Sequence, residues 1–521
     1  MPLKQPGTAR RLNASKDASK NVARAVYPML AISFALLASF GSAARAQSLD
    51  LVSIYQDAVK YDALLASAVS ALEAAQERAI QTRAGLLPTV TNTMGLSRIA
   101  TESNLSTRRE FNSRSFAINL NYPLYRKQNV EVFEQSRLQI ALFEAQLEQA
   151  RQDLMIRVSQ AYFDVLTAQD NLGTIRAQKR AISEQLASAK RNFEVGTATI
   201  TDQQEAQARF DLNIAQELAG QNDLAVKRSA LELLSGKPAA ALHGLVKDIA
   251  LTSPMPARES EWAQSARDFN LGVLQAQVSS EVAKREIDRQ RFGHYPTLDL
   301  VSSLQRSDSA TAQLLGVRSN SASIGVQFSV PLYAGGVIDS RVREAIALQN
   351  KASTDLENAR RQAEQGVRAT FLGVNSGLGQ VRALEAAERS SQLALDSNLL
   401  GYQVGVRINI DVLNAQQQLF TTRRDLAKAR YDVLVSGLKL KQSAGVLAED
   451  DLKSVNNLLA PVAAAAGDAG SDAPRATTPA DRSVPATSGR TNELLAPATA
   501  TGKSPLQGRG SRPNIPAINP K

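Results

Sequence analysis

Residues 140–172 read IALFEAQLEQARQDLMIRVSQAYFDVLTAQDNL, and along this stretch an apolar side chain returns every seven residues. The flanking sequence extends the pattern, because the segment 127–193 contains no proline and a single glycine. Apolar spacing of this kind predicts a helix whose apolar seam packs along a neighbouring helix. At about 1.5 Å of rise per residue, the segment would span on the order of 100 Å, which is too long for a compact globule. The seam consists of Ile140, Leu147, Leu154, Ala161 and Ala168.

A glycine turn follows this predicted helix. Val195, Gly196 and Thr197 interrupt the apolar pattern, which resumes at Asp202 and stops at Gly236. Aspartate favours the N-cap of a helix and glycine favours its C-terminal end, so Asp202 is expected to begin a second helix. The sequence therefore predicts an antiparallel helical hairpin.

The whole pattern occurs twice in the chain. The segment 58–88 aligns with 266–296, and a second long helical hairpin is predicted with its turn at Val404 and Gly405. Repeats of this size usually place equivalent elements around a shared axis, so each half is expected to form one structural unit with the same role.

Four segments are predicted along the chain. Basic residues, a short apolar run and the small-residue site Ala44-Arg45-Ala46 identify 1–46 as a signal peptide. Residues 47–245 are predicted to form the first repeat, with a helix, two strands and a long helical hairpin. Residues 246–459 are predicted to repeat that order after a linker. The segment 460–521 is rich in Ala, Pro, Ser, Thr and Gly, and is predicted to be disordered.

Two strand pairs are predicted, one in each repeat. Apolar and polar residues alternate along 116–122 and 324–330, and weaker alternation precedes them along 89–99 and 297–305. Each strand is expected to be about ten residues long, which is the length that crosses a bilayer at a tilt. Alternation alone is equally compatible with a soluble sheet that packs one face on helices.

The edges of the sheet distinguish a membrane sheet from a soluble one. An open sheet has unpaired edges that are not tolerated in lipid, so a membrane sheet of four strands must recruit further chains. Two copies would give eight strands and a filled interior, whereas three copies would give twelve strands and leave a bore. An exported chain with very long helices fits a trimeric barrel continued by a helical tube.

Composition excludes several classes of function. The net charge of +10 lies mostly in the first 46 residues and the tail after Ala460, so the body is close to neutral and a nucleic-acid interface is not expected. The chain has no cysteine and two histidines, His243 and His294. No metal site, nucleophile or phosphate-binding loop is therefore expected, and the sequence predicts neither an enzyme nor a cofactor.

Several motifs together resemble the TolC family of outer-membrane efflux and type I secretion channels. They are GHYPTLDL at 293–300, VPLYAGG at 330–336, AYFDVL at 161–166, and the two hairpin turns. In that family, a homotrimer forms a twelve-stranded barrel in the outer membrane and a helical tunnel in the periplasm. The tunnel tip docks a periplasmic adaptor protein, also called a membrane fusion protein, that belongs to an inner-membrane pump.

The resemblance implies a gate at the tunnel tip. The gate residues of the family fall on Tyr402 and Arg407, and their partners would be Thr201 and Asp202 on the neighbouring hairpin. Arginine and aspartate supply charge-assisted bonds that a partner protein can break. A simpler interpretation remains open for Asp202 and Asp411, in which each only caps a helix.

The resemblance also implies a pore constriction and a docking surface. The constriction carboxylates of the family fall on Asp411 and on Asn414, where a second acid is usual. Three chains would then present one ring of carboxylates, enough to favour cations. The docking surface for the adaptor is expected at the two turns, on Val195, Gly196, Thr197, Val404 and Gly405.

The sequence thus predicts an outer-membrane exit duct in contact with lipid, which serves tripartite efflux pumps, type I protein secretion, or both. The alternative is a periplasmic coiled-coil structural or adaptor protein. Drugs and proteins both remain open as cargo, because the pump selects them.

Overall fold

The computed structural model describes residues 49–103, 106–238, 241–246, 251–309 and 317–460. The predicted signal peptide, 1–46, and residues 461–521 of the predicted disordered tail lie outside these ranges. Among the described residues, no helix combines the length and apolar character needed to cross a membrane.

The described elements follow the same order in both halves of the chain, except that the second half has one additional short helix near its end. The first half contains α1 (Leu51–Tyr61), α2 (Ala63–Ala84), β1 (Thr89–Ser103), β2 (Ser106–Tyr125), α3 (Lys127–Glu194), α4 (Ile200–Ser235) and β3 (Gly244–Leu245). The second half contains α5 (Glu259–Phe269), α6 (Leu271–Arg291), β4 (Thr297–Ser309), β5 (Val317–Ser329), α7 (Val337–Gln403), α8 (Asn409–Ser443), α9 (Glu449–Asn456) and β6 (Leu459–Ala460).

The two long helical hairpins are confirmed. Helix α3 has 68 residues and α7 has 67, and each is followed after a short turn by an antiparallel helix of about half that length. One detail of the prediction is wrong, because the N-cap of α4 is Thr199 and Asp202 lies in its first turn. A threonine hydroxyl reaches the free N–H groups there, so the helix begins before the aspartate.

The four predicted strands form one antiparallel sheet with the order β1-β2-β4-β5. The strands have 15, 20, 13 and 13 residues, so the expected length of about ten was too short. Pairing continues past the apolar segments into polar hairpin arms, as in the pair Ala100–Glu110, because backbone hydrogen bonds do not require apolar side chains.

One face of this sheet is apolar and exposed. Ile118 lies opposite Leu304, and Met94 and Ile324 on the same face have exposed fractions of 79% and 77%. A soluble sheet of the kind considered above would cover these side chains with helices. The observed exposure favours a sheet whose apolar face meets lipid.

The main core lies where the helices of both halves meet. Phe163 on α3 packs against Tyr162 at an edge and stacks on Tyr431 of α8, with 5.6 Å between ring centroids in each case. Residues Gly244–Leu245 of β3 pair with Leu459–Ala460 of β6, so the end of the second half returns to the end of the first.

A partly buried ion pair joins the helices to the sheet. The Arg126 guanidinium donates from Nε and Nη2 to the two carboxylate oxygens of Asp299, at 2.8 and 2.6 Å. Arg126 directly precedes α3, and Asp299 lies near the start of β4. The bidentate pair therefore ties the start of the long hairpin to the sheet.

Candidate functional site

The two hairpin turns share one backbone conformation. Gly196 and Gly405 have φ angles of 75° and 77°, in the left-handed region that favours glycine. In each turn, the N–H after the glycine donates back to a helical carbonyl, from Thr197 to Asn192 at 2.8 Å and from Val406 to Gly401 at 2.9 Å. These bonds close the last turn of α3 and of α7.

The side chains at both turns are largely solvent-exposed. Val195 and Val404 precede the two glycines and have exposed fractions of 73% and 66%. A Cβ atom built on Gly196 or Gly405 would meet no atom within 4 Å, so the space outside each turn is open. The predicted docking residues therefore present their surfaces outward.

The first turn uses its polar side chains for capping. Thr199 and Asp202 form a capping box, in which Thr199 N–H donates to Asp202 Oδ2 at 3.0 Å and Asp202 N–H donates to Thr199 Oγ1 at 3.3 Å. Thr201 Oγ1 lies 2.5 Å from Thr199 Oγ1. Asp202 and Thr201 are thus both engaged within their own turn, and Asp202 has the capping role considered from sequence.

The second turn differs at the equivalent position. Its N-cap is Ile408, which has no side chain able to cap α8. Asp411 makes no capping bond and lies beside Arg407, with 3.7 Å between Asp411 Oδ2 and Arg407 Nη1. Among the described residues, the ion-pair partner of Arg407 is Asp411 and not Asp202 of the first hairpin.

Hydrogen bonds connect the two hairpins near their tips. Gln185 on α3 donates to Asn409 Oδ1 at 2.5 Å, and Asn409 Nδ2 donates to the carbonyl of Asp202 at 3.2 Å. Asn409 has an exposed fraction of only 1%. Asn192 Nδ2 also donates to Tyr402 Oη at 3.3 Å, so Tyr402 does contact the first hairpin.

Sequence reasoning missed Asn409 and Gln185. In the repeat alignment, Asn409 stands where the first half has Ile200, so a polar residue replaces an apolar one at the start of a helix. That substitution was a usable signal. A buried amide side chain needs hydrogen-bond partners, so a polar residue at this position predicts a contact with a neighbouring helix.

Arg209 was also missed. Its Nη2 donates to Asn414 Oδ1 at 3.2 Å, across from α4 to α8. Arg407, Asp411 and Asn414 line a groove of about 530 Å³ together with Ser390. Arg209, Arg407, Asp411 and Asn414 together carry two positive charges and one negative charge.

Another cross-hairpin contact lies far from the tips. Tyr431 Oη on α8 donates to Asp170 Oδ2 on α3 at 2.6 Å. Burial raises the pKa of the Asp170 carboxyl, and burial beside Asp170 raises the pKa of the Tyr431 phenol above its ordinary range. The pair is therefore stable with the phenol protonated.

The sequence model of the family described as "Outer membrane efflux protein" matches this chain twice, at residues 54–237 and again at 262–446. The chain belongs to that family. Each match contains one strand pair and one helical hairpin, so the family unit coincides with the repeated element order.

Named relatives agree with this assignment. The chain is 34% identical to the outer membrane protein TolC of Vibrio cholerae over 81% of its own length and 96% of the relative. It is 31% identical to TolC of Escherichia coli, over 81% and 87% respectively. It is 30% identical to the proteases secretion protein PrtF of Dickeya chrysanthemi, over 79% and 91%.

Solved structures share the fold. The chain superimposes on CusC with a TM-score of 0.67, covering 77% of this chain and 92% of CusC. It superimposes on the outer-membrane channel CmeC of Campylobacter jejuni with a TM-score of 0.66, covering 78% and 89%. Sequence identity is 18% in both cases, so these likenesses concern the fold alone.

The resemblance to the TolC family is thereby confirmed, as is the mainly helical fold with barrel-type strands. The protein is an outer-membrane exit duct of the kind used in efflux and type I secretion, and it extends into the periplasm. Its relatives are channel proteins and not enzymes. The alternative of a periplasmic coiled-coil adaptor is set aside.

Proposed function

We propose that three copies of this chain form the outer-membrane duct of a tripartite exporter. A periplasmic adaptor protein and an inner-membrane pump would complete the exporter. The observation that carries the trimer is the sheet, which presents an apolar exposed face and two outer strands, β1 and β5, with one described neighbour each. Such edges must be paired in lipid, and three copies give twelve strands with a bore.

The long helices support the same assembly. Helices α4 and α7 carry exposed leucines and valines along surfaces that this single chain leaves uncovered. On a periplasmic tube these surfaces would pack against helices of the neighbouring copies, which removes apolar area from water. These residues are Leu212, Leu218, Val226 and Leu233 on α4, and Leu372, Leu393 and Leu400 on α7.

The gate in this proposal is the ring of hairpin tips. Tyr402 and Arg407 of the second hairpin would meet Thr201 and Asp202 of a neighbouring first hairpin when the tunnel is closed. Within one chain, Tyr402 is linked to Asn192 at 3.3 Å, and the Arg407–Asp411 pair is exposed at 3.7 Å. Exposed links of this kind are weak individually, so a docked adaptor could exchange them for its own contacts.

Docking would use the two turns. Val195, Gly196 and Thr197 in the first turn, with Val404 and Gly405 in the second, combine exposed apolar side chains with glycine backbone that a partner can approach closely. The two turns have the same conformation, so one adaptor element could bind both of them.

The constriction would be lined by Asp411 and Asn414. We expect the preference for cations that three carboxylates alone would give to be lost, because Arg407 lies beside Asp411 and Arg209 beside Asn414. The mouth of the trimer would then carry more positive than negative charge from these four positions. This revises the interpretation from sequence, in which Asp411 alone set the sign of the potential.

The proposal includes the chain division given above, with the signal peptide at 1–46, the repeats at 47–245 and 246–459, and the tail at 460–521. The duct itself would accept small molecules or unfolded proteins, since selection rests with the pump. The name of PrtF assigns protease secretion to that relative.

Two experiments test the proposal. Membrane fractionation should recover the mature protein in the outer membrane as a trimer that resists heating in detergent. Recovery as a soluble monomer after osmotic release would refute it. Deletion of the gene, followed by comparison of drug sensitivity with the profile of secreted proteins, would distinguish efflux from secretion.

A further inference from the structure

The four-stranded sheet has one apolar face, and its composition changes along the strands. Strand register places Phe116 opposite Arg306, and it places Arg114 opposite Leu96 and Asp308. Side chains with even numbers therefore share one face across all four strands. Toward the helices, this face carries apolar residues, which include Met94, Phe116, Ile118, Leu120, Leu300, Leu304, Ile324, Val326 and Phe328.

Away from the helices, the same face becomes strongly basic. Every one of the four strands contributes an arginine there, at Arg98, Arg108, Arg114, Arg306 and Arg318. All five side chains are exposed. We call this set the arginine belt. It lies on the apolar face and not on the opposite face, where serine, threonine and asparagine predominate.

Four arginines of the belt lie in three successive rows of this face. Arg306 shares a row with Phe116, Arg114 and Arg318 share the next row, and Arg98 lies one row further from the helices. From the first of these rows to the third is roughly 13 Å along a strand at about 3.3 Å per residue, or about 10 Å along the membrane normal after the usual strand tilt. The belt directly borders the apolar part of the face on the side away from the helices, which is where lipid headgroups would lie.

Carboxylates on this face do not balance the arginines. Glu110 accepts from Arg98 at 2.7 Å and from Arg108 at 3.1 Å, so one acid serves two cations. Asp308 lies 3.4 Å from Arg318. Arg114 and Arg306 form no ion pair with any described residue.

We propose that the arginine belt binds the phosphate groups of a glycolipid in the outer leaflet of the membrane. Arginine matches phosphate in a bidentate manner, and an anion bound there would satisfy guanidinium groups that the described chain leaves unpaired. A lipid fits better than free phosphate because the belt borders the apolar face, where acyl chains would lie. The inference rests on the proposed insertion of the sheet into the outer membrane.

The test uses the purified full-length trimer and lipid A as the probe. Native mass spectrometry would count bound lipid during titration with lipid A, and with the same lipid after its phosphates are removed. The wild-type trimer should prefer the phosphorylated form by at least about tenfold, as expected for several charge-assisted bonds. Inorganic phosphate at equal concentration should not displace it.

The variant is the triple replacement Arg98→Gln, Arg114→Gln and Arg306→Gln. It should bind both lipid forms alike. Glu110 keeps Arg108 at 3.1 Å in this variant, so no buried charge is orphaned. The matched control removes three exposed arginines from α7, with Arg361→Gln, Arg382→Gln and Arg389→Gln, and should retain the wild-type preference.

Two outcomes would overturn the inference. One is an undiminished preference for phosphorylated lipid in the triple variant, and the other is displacement by inorganic phosphate, which would indicate a free-anion site. Heat resistance of the trimer and channel conductance are measured on the same preparations. Loss of trimer and conductance in the wild type would contradict the proposed function itself, whereas a conducting trimer without lipid preference contradicts the arginine belt alone.

Discussion

Replacement of Arg209 should change how the channel mouth handles cations. Its guanidinium donates to Asn414 at 3.2 Å, at the position where the constriction is expected to carry a second acid. Arg209→Gln keeps a hydrogen-bond donor of similar reach but removes one positive charge per chain, and three per trimer. We therefore expect a trivalent cation such as hexamminecobalt to block the variant at lower concentration than the wild type.

The magnitude follows from Coulomb's law. At a distance of about 8 Å in water, a trivalent cation and one guanidinium repel each other by about 1.5 kcal/mol, which screening over a Debye length of about 8 Å reduces to roughly 0.5 kcal/mol. Three guanidinium groups contribute about 1.5 kcal/mol together, which corresponds to about a tenfold decrease in blocking concentration.

The assay is single-channel recording in planar bilayers with the blocker added from the tunnel side. Arg209→Lys retains the charge and serves as the control, with block like that of the wild type. Asn414→Asp should strengthen block more in the Arg209→Gln background than alone, because Arg209 would otherwise hold the new carboxylate. If the cation blocks Arg209→Gln at the same concentration as the wild type, Arg209 does not act at the mouth. The assignment of Asn414 to the constriction would then also be refuted.

Three further predictions concern the gate, the docking surface and the hydrogen bond between Tyr431 and Asp170. Arg407→Ser should raise closed-state conductance in bilayers by removing the proposed contact of Arg407 with Asp202 of a neighbouring hairpin, and unchanged conductance would contradict its role in the gate. Gly405→Trp should abolish export while the yield of trimer stays normal. The control Gly405→Ala adds strain at a φ of 77° but little bulk, so it should still export. Normal export by the Trp variant would exclude docking at this turn. Tyr431→Phe should lower the free energy of unfolding of the helical part by about 1–3 kcal/mol, because Asp170 keeps its buried carboxyl but loses a donor. Because folding raises the pKa of Tyr431, the stabilisation of the folded protein by its protonated phenol is complete below about pH 10 and is lost as pH rises further. Thermal unfolding followed by circular dichroism should therefore show less alkaline destabilisation in Tyr431→Phe than in the wild type.

Much of the fold was predictable because apolar residues recur periodically in the sequence. The seven-residue spacing in 140–172 and the alternation in 116–122 are properties of short segments, and each period is compatible with only one kind of element. The repetition then doubled the signal, since the long helical hairpin and the strand pair appear in both halves. The exposed turns at Gly196 and Gly405 were also predictable, because a glycine between two helical patterns is typical of a left-handed residue at the end of a helix.

The contacts between elements came only from the tertiary structure. Gln185 and Asn409 are 224 positions apart, and Arg209 and Asn414 are 205 apart, yet each pair is joined by one hydrogen bond. No local period encodes such a pair. Whether two side chains on different helices meet depends on the rotation and the register of one helix against the other, and packing along the whole interface sets both quantities. The sequence by itself therefore determined the kinds and order of the long helices and the strand pairs, and the lengths of the long helices but not those of the strands. The partners of Asn409 and Asn414 were decided by tertiary packing, because a hydrogen bond requires positions accurate to a few tenths of an ångström.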